Sequence, residues 1–406
     1  MMKNPNLKTG HTASAREDFS DRLDRLLCRP ALGLPFFFFV MSAVFYLSFS
    51  GLGEFLSIGT ERFLLRTGGG AERALRAFGV ADWFIRYLID GVYRAVASTV
   101  AFLPQTAIFF FLLEGLRDCG YLARAVFVAD RFFRSFGLSG NAVIPLAVSC
   151  GCAVPTVTDP SVEREERERL IRAVPFVPCS ARLPVLLYLT DAFFPKSRTL
   201  LCVFFLCLVF VLVFLSFAAS RTEECAAVDL IVCLPRYRAP RLRVLACEVL
   251  QKCREYLIRA GTVVLFCAAV FSALAFLTPS LRIAESGRES LLYALSERIA
   301  PVFRPLGFGK GETAAALLLG FFAKENIVYG LGLFSDCDLV ALLPPPSALS
   351  FTAFAMFYAP CVSLFWAVKR EYGFSRALVL LLRTFFAAYL TSLVLYTLSY
   401  IVFFSW

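Results

Sequence analysis

The sequence is poor in two kinds of residue that soluble metal-binding proteins use. Histidine occurs once in 406 residues, as His11, which excludes a metal site built from several imidazoles. Charged residues make up 18% of the chain and apolar residues 58%, whereas about a quarter of a soluble domain is charged. The composition therefore predicts an all-α polytopic membrane protein, because helices satisfy their own backbone groups in lipid.

The positive charge of the chain does not indicate a nucleic-acid partner. The formal net charge is +10, but the sequence contains no homeodomain, zinc-finger or RNA-recognition motif. Arginines instead cluster between apolar segments, as Arg236, Arg238, Arg241 and Arg243 do. Basic loops of membrane proteins tend to remain in the cytoplasm, so we expect a basic cytoplasmic loop. The expected partner of the protein as a whole is the lipid bilayer.

Long apolar segments predict about eight transmembrane helices. They are Leu32–Phe49, Ala97–Leu116, Ala173–Phe194, Leu200–Ala219, Leu257–Leu277, Thr313–Phe334, Leu349–Val368 and Leu378–Phe404. A shorter segment, Ala142–Val157, contains Pro145, Gly151 and Pro155. Its length and its helix breakers predict a re-entrant or discontinuous helix rather than a full span.

The charge rule and the span count together predict the division of the chain. Four full spans before the basic loop return it to the side of the N-terminal tail. We therefore expect a cytoplasmic tail at 1–30, a first membrane half at 31–220, a basic cytoplasmic loop at 221–256 and a second membrane half at 257–406.

Several cysteines lie beside helix breakers within or next to apolar segments. Cys150 and Cys152 flank Gly151, Cys179 follows Pro178, and Cys361 follows Pro360. A proline inside a span frees a backbone carbonyl upstream, and a thiolate or hydroxyl nearby, such as that of Ser180, completes a site for a borderline or soft divalent ion. The alternative is a packing kink with a buried thiol.

Charged residues inside apolar segments are a second candidate group. Arg182, Lys324 and Glu325 each carry an insertion cost of roughly 3 kcal/mol at mid-bilayer. One interpretation is a structural ion pair of Lys324 or Arg182 with Glu114 or Glu325. The other is that Glu325 takes part in permeation. We favour Glu325 over Lys324 as an ion contact, because a charged lysine cannot bind a cation.

Two short patterns occur in both membrane halves. Phe110-Phe111-Leu112-Leu113-Glu114 resembles Phe321-Phe322-Ala323-Lys324-Glu325, and Phe176-Val177-Pro178-Cys179 resembles Phe357-Tyr358-Ala359-Pro360-Cys361. Internal repeats of this kind are typical of transporters, whose binding sites lie at the repeat interface near the membrane midplane.

The same residues resemble the ferrous iron transport protein B family. Gly151-Cys152-Ala153-Val154-Pro155, followed by Cys179-Ser180-Ala181-Arg182-Leu183-Pro184, is similar to the first Gate region of that family. Gly320-Phe321-Phe322-Ala323-Lys324-Glu325 and Tyr358-Ala359-Pro360-Cys361-Val362 are similar to the second Gate region. The resemblance runs from about Arg22 to Tyr400 and keeps the order of the paired motifs.

The resemblance implies a transporter rather than an enzyme. It implies two Gate repeats and uptake of ferrous iron across the bacterial inner membrane, with Cys152, Cys179 and Cys361 lining the path. Cys150 stands where the family more often has an aromatic residue and adds a further thiol; Ser180 and Glu325 complete our predicted metal contacts. No covalently bound cofactor is expected, since Fe(II) is the transported ion.

The resemblance also implies partners. Family members usually begin with a GTP-binding domain marked by the motif Gly-x-x-x-x-Gly-Lys-Ser/Thr, and only about thirty residues precede the first predicted span here. We therefore expect a separate GTPase protein, a small accessory iron-transport protein and a homo-oligomer. Two alternatives stay open: a transporter of manganese or zinc, and a non-transporting assembly subunit.

Overall fold

The computed structural model describes residues 24–404, apart from 26, 137, 160–161, 180, 219–236, 279, 281, 284–286, 323 and 335–341. This part of the chain is almost entirely helical. It contains no strand, and Leu277 and Ile283 form an isolated bridge. The prediction of an all-α polytopic membrane protein is confirmed.

The first membrane half contains eleven labelled helices within its described residues. They are α1 Pro30–Phe49, α2 Leu52–Ala77, α3 Asp82–Ile85, α4 Arg94–Ala101, α5 Leu103–Asp118, α6 Tyr121–Arg134, α7 Val143–Gly151, α8 Val154–Thr158, α9 Arg164–Ala173, α10 Arg182–Phe193 and α11 Arg198–Ala218. A π-helical segment, Arg86–Tyr93, joins α3 to α4, and a 3-10 turn, Gly140–Ala142, leads into α7.

The second membrane half begins with a long helix and ends with another. Its labelled helices are α12 Leu242–Phe276, α13 Leu291–Ile299, α14 Gly311–Phe322, α15 Asn326–Phe334, α16 Pro345–Phe357, α17 Val362–Tyr372 and α18 Phe374–Phe404. A 3-10 segment, Ala300–Leu306, follows α13 and ends at Gly307, whose φ of 84° favours glycine.

Four helical stretches among the described residues are long and apolar enough to cross a bilayer. They are Leu32–Ala77, Pro195–Ala218, Pro345–Tyr372 and Phe374–Val402. The segments predicted as spans at Ala173–Phe194, Thr313–Phe334 and Leu349–Val368 are each divided into shorter pieces. Segment 142–157 is divided as well, into α7 and α8, so its discontinuous character was predicted correctly.

The two halves repeat the same order of elements. In each half a long helix (α5 or α12) is followed by a shorter one (α6 or α13). A hairpin of two short helices comes next (α7–α8 or α14–α15). A broken helix follows it, made of α9 and α10 in the first half and of α16 and α17 in the second. The carboxylate of Asp118, at the end of α5, accepts a hydrogen bond from the backbone N–H of Arg241, immediately before α12, at 2.9 Å. Glu114, earlier in α5, pairs with Lys252, farther along α12. Helices α5 and α12 therefore run in opposite directions, as in inverted repeats.

A polar cluster holds the N-terminal segment, the α5–α6 turn and the basic loop together. The Arg124 guanidinium donates to both carboxylate oxygens of Asp24, at 3.0 and 3.1 Å, and to the Gly120 carbonyl at 2.9 Å. It also stacks on the Tyr237 ring, 4.1 Å from its centroid. The contact joins the N-terminal segment to the start of the second half; the side of the membrane on which they lie stays a prediction.

Asp118 extends this cluster toward the basic loop. Its carboxylate forms an ion pair with Arg238, whose Nε also donates to the Asp118 carbonyl at 3.0 Å. The backbone N–H of Arg241 and the Arg238 guanidinium lower the pKa of the Asp118 carboxyl. The end of α5 is thus fixed electrostatically to the start of the second half.

Removing the Arg124 guanidinium tests the cluster. We expect Arg124→Ala to lower the free energy of unfolding by about 2–3 kcal/mol, because a nearly buried two-point ion pair and a carbonyl bond are lost. Arg76→Ala is the control, since the Arg76–Glu72 pair is exposed and worth at most about 0.5 kcal/mol. Thermal unfolding in detergent measures both variants, and equal shifts would contradict the prediction.

Candidate functional site

Four helix interruptions lie in equivalent places in the two halves. The hairpin turns are at Cys152–Ala153, between α7 and α8, and at Lys324–Glu325, between α14 and α15. Among the described residues, the broken helices are interrupted at 177–179 and 181 and at 358–361. Proline explains most of these sites, because Pro155, Pro178 and Pro360 cannot donate a helical hydrogen bond. Each interruption leaves backbone groups that must find partners elsewhere.

The predicted cysteines lie at three of these interruptions. Cys150 is in the last turn of α7 and Cys152 immediately follows it; Cys179 lies in the first broken helix, and Cys361 directly precedes α17. The Cys179 thiol is within electrostatic range of the thiols of Cys150, Cys152 and Cys361. All four residues are intermediate in exposure, neither fully buried nor fully exposed. Residues from both halves thus face one region.

The other predicted contacts have different positions. Ser180 falls outside the described residues. Glu325 is partly buried at the turn of the second hairpin, and its role as an ion contact stays a prediction. Among the residues that the structure describes, no three His, Cys, Asp or Glu side chains are close enough together to hold a metal ion.

Two embedded cations reach the same region. Arg182 is 4% exposed and Lys324 is 3% exposed. The Arg182 guanidinium donates to the carbonyls of Pro175, Val177 and Ala359. The Lys324 ammonium lies 3.6 Å from the centroid of the Tyr358 ring and 3.5 Å from the Ala355 carbonyl oxygen. Both cations therefore bind backbone oxygens next to the helix interruptions.

The suggested pairing of these cations with Glu114 is wrong. Glu114 forms an ion pair with Lys252 on α12 and lies 3.9 Å from Arg117. The resemblance between the segments ending at Glu114 and Glu325 is likewise misleading, because Glu114 is inside α5 whereas Glu325 is in a hairpin turn. The repeated Pro-Cys pattern, in contrast, does mark equivalent interruptions at Cys179 and Cys361.

Sequence reasoning missed Tyr358 as part of the site. Its ring contacts Lys324, and its hydroxyl donates to the Leu317 carbonyl of α14 at 2.7 Å. This bond joins the second hairpin to the second broken helix. An aromatic residue two positions before Pro360 was the available signal, but the partner lies 41 residues away.

Hydrogen bonds and close packing fix the first hairpin in place. The Ser139 backbone and hydroxyl donate to the Glu166 carboxylate at 2.5 and 2.9 Å, just before the hairpin begins. Burial raises the pKa of the Glu166 carboxyl. The Thr156 hydroxyl of α8 donates to the Pro145 carbonyl of α7 at 2.9 Å. At Gly151 an added Cβ would come within 2.5 Å of the Phe109 ring, so only glycine allows this approach of α7 to α5.

The chain resembles known proteins over most of its length. The model of the Gate family, described as nucleoside recognition, matches residues 99–193 and 257–375, together more than half of the chain. A protein of Staphylococcus aureus strain MSSA476, named Fe(2+) transporter FeoB, is 30% identical over 400 residues, covering 95% of this chain and 60% of the relative.

Two further relatives carry the same name. The protein of S. aureus strain COL is 31% identical over 88% of this chain and 55% of its own length. The protein of Legionella pneumophila strain Paris is 32% identical over 78% of this chain and 43% of its own length. The chain thus spans about three fifths, or less, of the length of these curated relatives. No solved structure matches it.

The two matched segments coincide with the two repeats that contain the helix interruptions and the clustered cysteines. This chain therefore belongs to the Gate family and corresponds to the membrane region of the ferrous iron transport protein B family.

Proposed function

We propose that this chain transports ferrous iron into the cell, as a multi-pass protein of the bacterial inner membrane. The observation that carries the proposal is that thiols from both repeats, those of Cys152, Cys179 and Cys361, lie within electrostatic range of one another at interrupted helices. Interrupted helices at bilayer depth are tolerated where they line a cavity or are buried in protein. The names of the relatives, Fe(2+) transporter FeoB, support iron as the cargo.

The chemistry of the site suits a borderline divalent ion. Hydrated Fe(II) would exchange water for the thiolates of Cys152, Cys179 and Cys361, with Cys150, Ser180 and Glu325 as further contacts. Thiolates favour Fe(II) over Mg(II) or Ca(II), which prefer oxygen ligands. Backbone carbonyls at the interruptions would supply the remaining oxygen contacts.

Replacing the clustered cysteines tests the path. We expect Cys152→Ser, Cys179→Ser and Cys361→Ser each to lower Fe(II) uptake by at least about tenfold, since even indirect contacts to a metal are worth 10–100-fold in affinity. Cys207→Ser is the matched control, because Cys207 is exposed on α11 away from the interruptions. Uptake of radioactive iron into cells under reducing conditions gives the measurement. Normal uptake by all three variants would leave these cysteines as packing residues.

The identity of the cargo needs a competition experiment. Thiolate sites also bind Zn(II), which ranks above Fe(II) in the general affinity order, and the same scaffold could carry Mn(II). We expect vesicles containing the purified chain to accumulate Fe(II) in preference to equimolar Mn(II) and Zn(II). Preferential uptake of Mn(II) or Zn(II) would identify that ion, rather than iron, as the cargo. Failure to accumulate any of the three ions would favour a non-transporting assembly subunit.

We further propose that a GTP-binding unit outside residues 1–406 energises or gates uptake. The polar cluster at Asp24, Asp118 and Arg238 joins the N-terminal segment to the Gate repeats. A GTP-binding unit that contacts this cluster could act on the Gate repeats through it. We expect a cognate GTPase, with GTP, to stimulate uptake by vesicles; equal uptake with GDP would contradict this. The small accessory iron-transport protein and the homo-oligomer stay predictions.

A further inference from the structure

Arg182 is the one side chain in the described residues whose hydrogen bonds reach both broken helices. Its guanidinium donates to Pro175 and Val177, which precede the first interruption, and to Ala359 in the second interruption, 177 residues away. The acceptors in all three bonds are backbone carbonyl oxygens. One cation thus links the Pro-Cys segments of the two repeats.

These carbonyls are of the kind that binds metal cations in membrane transporters. Unwound backbone oxygens and the C-terminal ends of half-helices carry partial negative charge and coordinate transported cations. Pro175 belongs to a 3-10 turn that follows α9, and Ala359 follows the end of α16. A positively charged guanidinium therefore occupies positions that a cargo cation could use.

The surroundings of Arg182 point to displacement rather than to a permanent brace. Its Nε is buried without a hydrogen-bond partner among the described residues, so the guanidinium is incompletely satisfied. Lys324 lies within electrostatic range of the Arg182 guanidinium. A dication entering beside the thiols would meet the positive charge of this guanidinium, and movement of the Arg182 side chain relieves the repulsion.

We propose that Arg182 is a tethered cation that closes the path when it is empty, holding the carbonyls of both interruptions until a metal cation displaces it. This rests on the proposed function for the identity of the cargo. Arg182 is accordingly a positioning residue, and it acts through backbone oxygens that belong to both repeats. The same exchange keeps the carbonyls satisfied in the empty and the occupied states, as the bilayer requires.

Thiol accessibility without metal tests the closure. A small membrane-impermeant maleimide is added to the full-length protein in vesicles, and labelling of Cys179 and Cys361 is followed by peptide mass spectrometry. We expect Arg182→Gln to raise the labelling rate by roughly tenfold, since a charge-assisted hydrogen bond is worth about one order of magnitude in an equilibrium. Arg182→Lys should give a smaller rise, because a point charge cannot bridge the carbonyls of both repeats.

Metal protection separates displacement from simple structural support. If the guanidinium competes with the cation, the Fe(II) concentration that half-protects Cys152 from labelling falls roughly tenfold in Arg182→Gln. Damage to the site would instead raise that concentration. Thr190→Val is the control. Thr190 is also buried in α10, but its hydroxyl bonds to the Leu186 and Leu187 carbonyls and to the Cys202 thiol of α11, and none of these residues lies at an interruption.

Each outcome decides the proposal. Unchanged labelling in both Arg182 variants, or a higher half-protecting concentration, overturns it. If Arg182→Gln does not fold, Arg182→Lys alone carries the test with the same expected directions. Labelling without metal judges the closure by Arg182, whereas Fe(II) uptake by the wild-type chain judges the transport function, so failure of one is distinguishable from failure of the other.

Discussion

The need to satisfy backbone hydrogen-bonding groups away from water constrains this whole membrane domain. Continuous helices such as α11 and α18 meet it within the segment. The hairpins and broken helices do not, and side chains supply the missing partners. The Thr156 hydroxyl donates to a carbonyl of the first hairpin, and the Tyr358 hydroxyl donates to a carbonyl of α14. The Arg182 guanidinium donates to carbonyls of both broken helices. These bonds satisfy the backbone groups that the helix interruptions leave without helical partners.

The two repeats share a plan but differ in chemistry. Both broken helices carry a Pro-Cys pair, yet the first hairpin turns at Cys152 and the second at Lys324 and Glu325. One repeat therefore places a thiol at its hairpin turn, whereas the other places a lysine and a glutamate there. The two turns differ in chemistry although the repeats share one order of elements.

Much of the fold was predictable because it depends on local composition. Apolar length and low charge predicted a helical membrane protein, and three helix breakers within Ala142–Val157 predicted the division of that segment. The Pro-Cys pattern correctly marked equivalent places at Cys179 and Cys361. Division of Thr313–Phe334 was not predicted, because no proline interrupts it and its turn at Lys324 is stabilised by distant partners. The similarity between the segments ending at Glu114 and Glu325 was misleading for a related reason. Glu114 lies inside a continuous helix, whereas Glu325 lies in a turn that follows α14.

The sequence by itself determined that this is a helical membrane protein and placed thiols beside helix breakers, because hydrophobicity and the missing proline N–H act within a few residues. Tertiary structure decided which of these positions meet. Arg182 finds Ala359 across 177 residues, and Lys324 finds the Tyr358 ring instead of a carboxylate. Such choices depend on how the antiparallel repeats pack, since a buried cation binds whichever acceptors the opposing backbone presents.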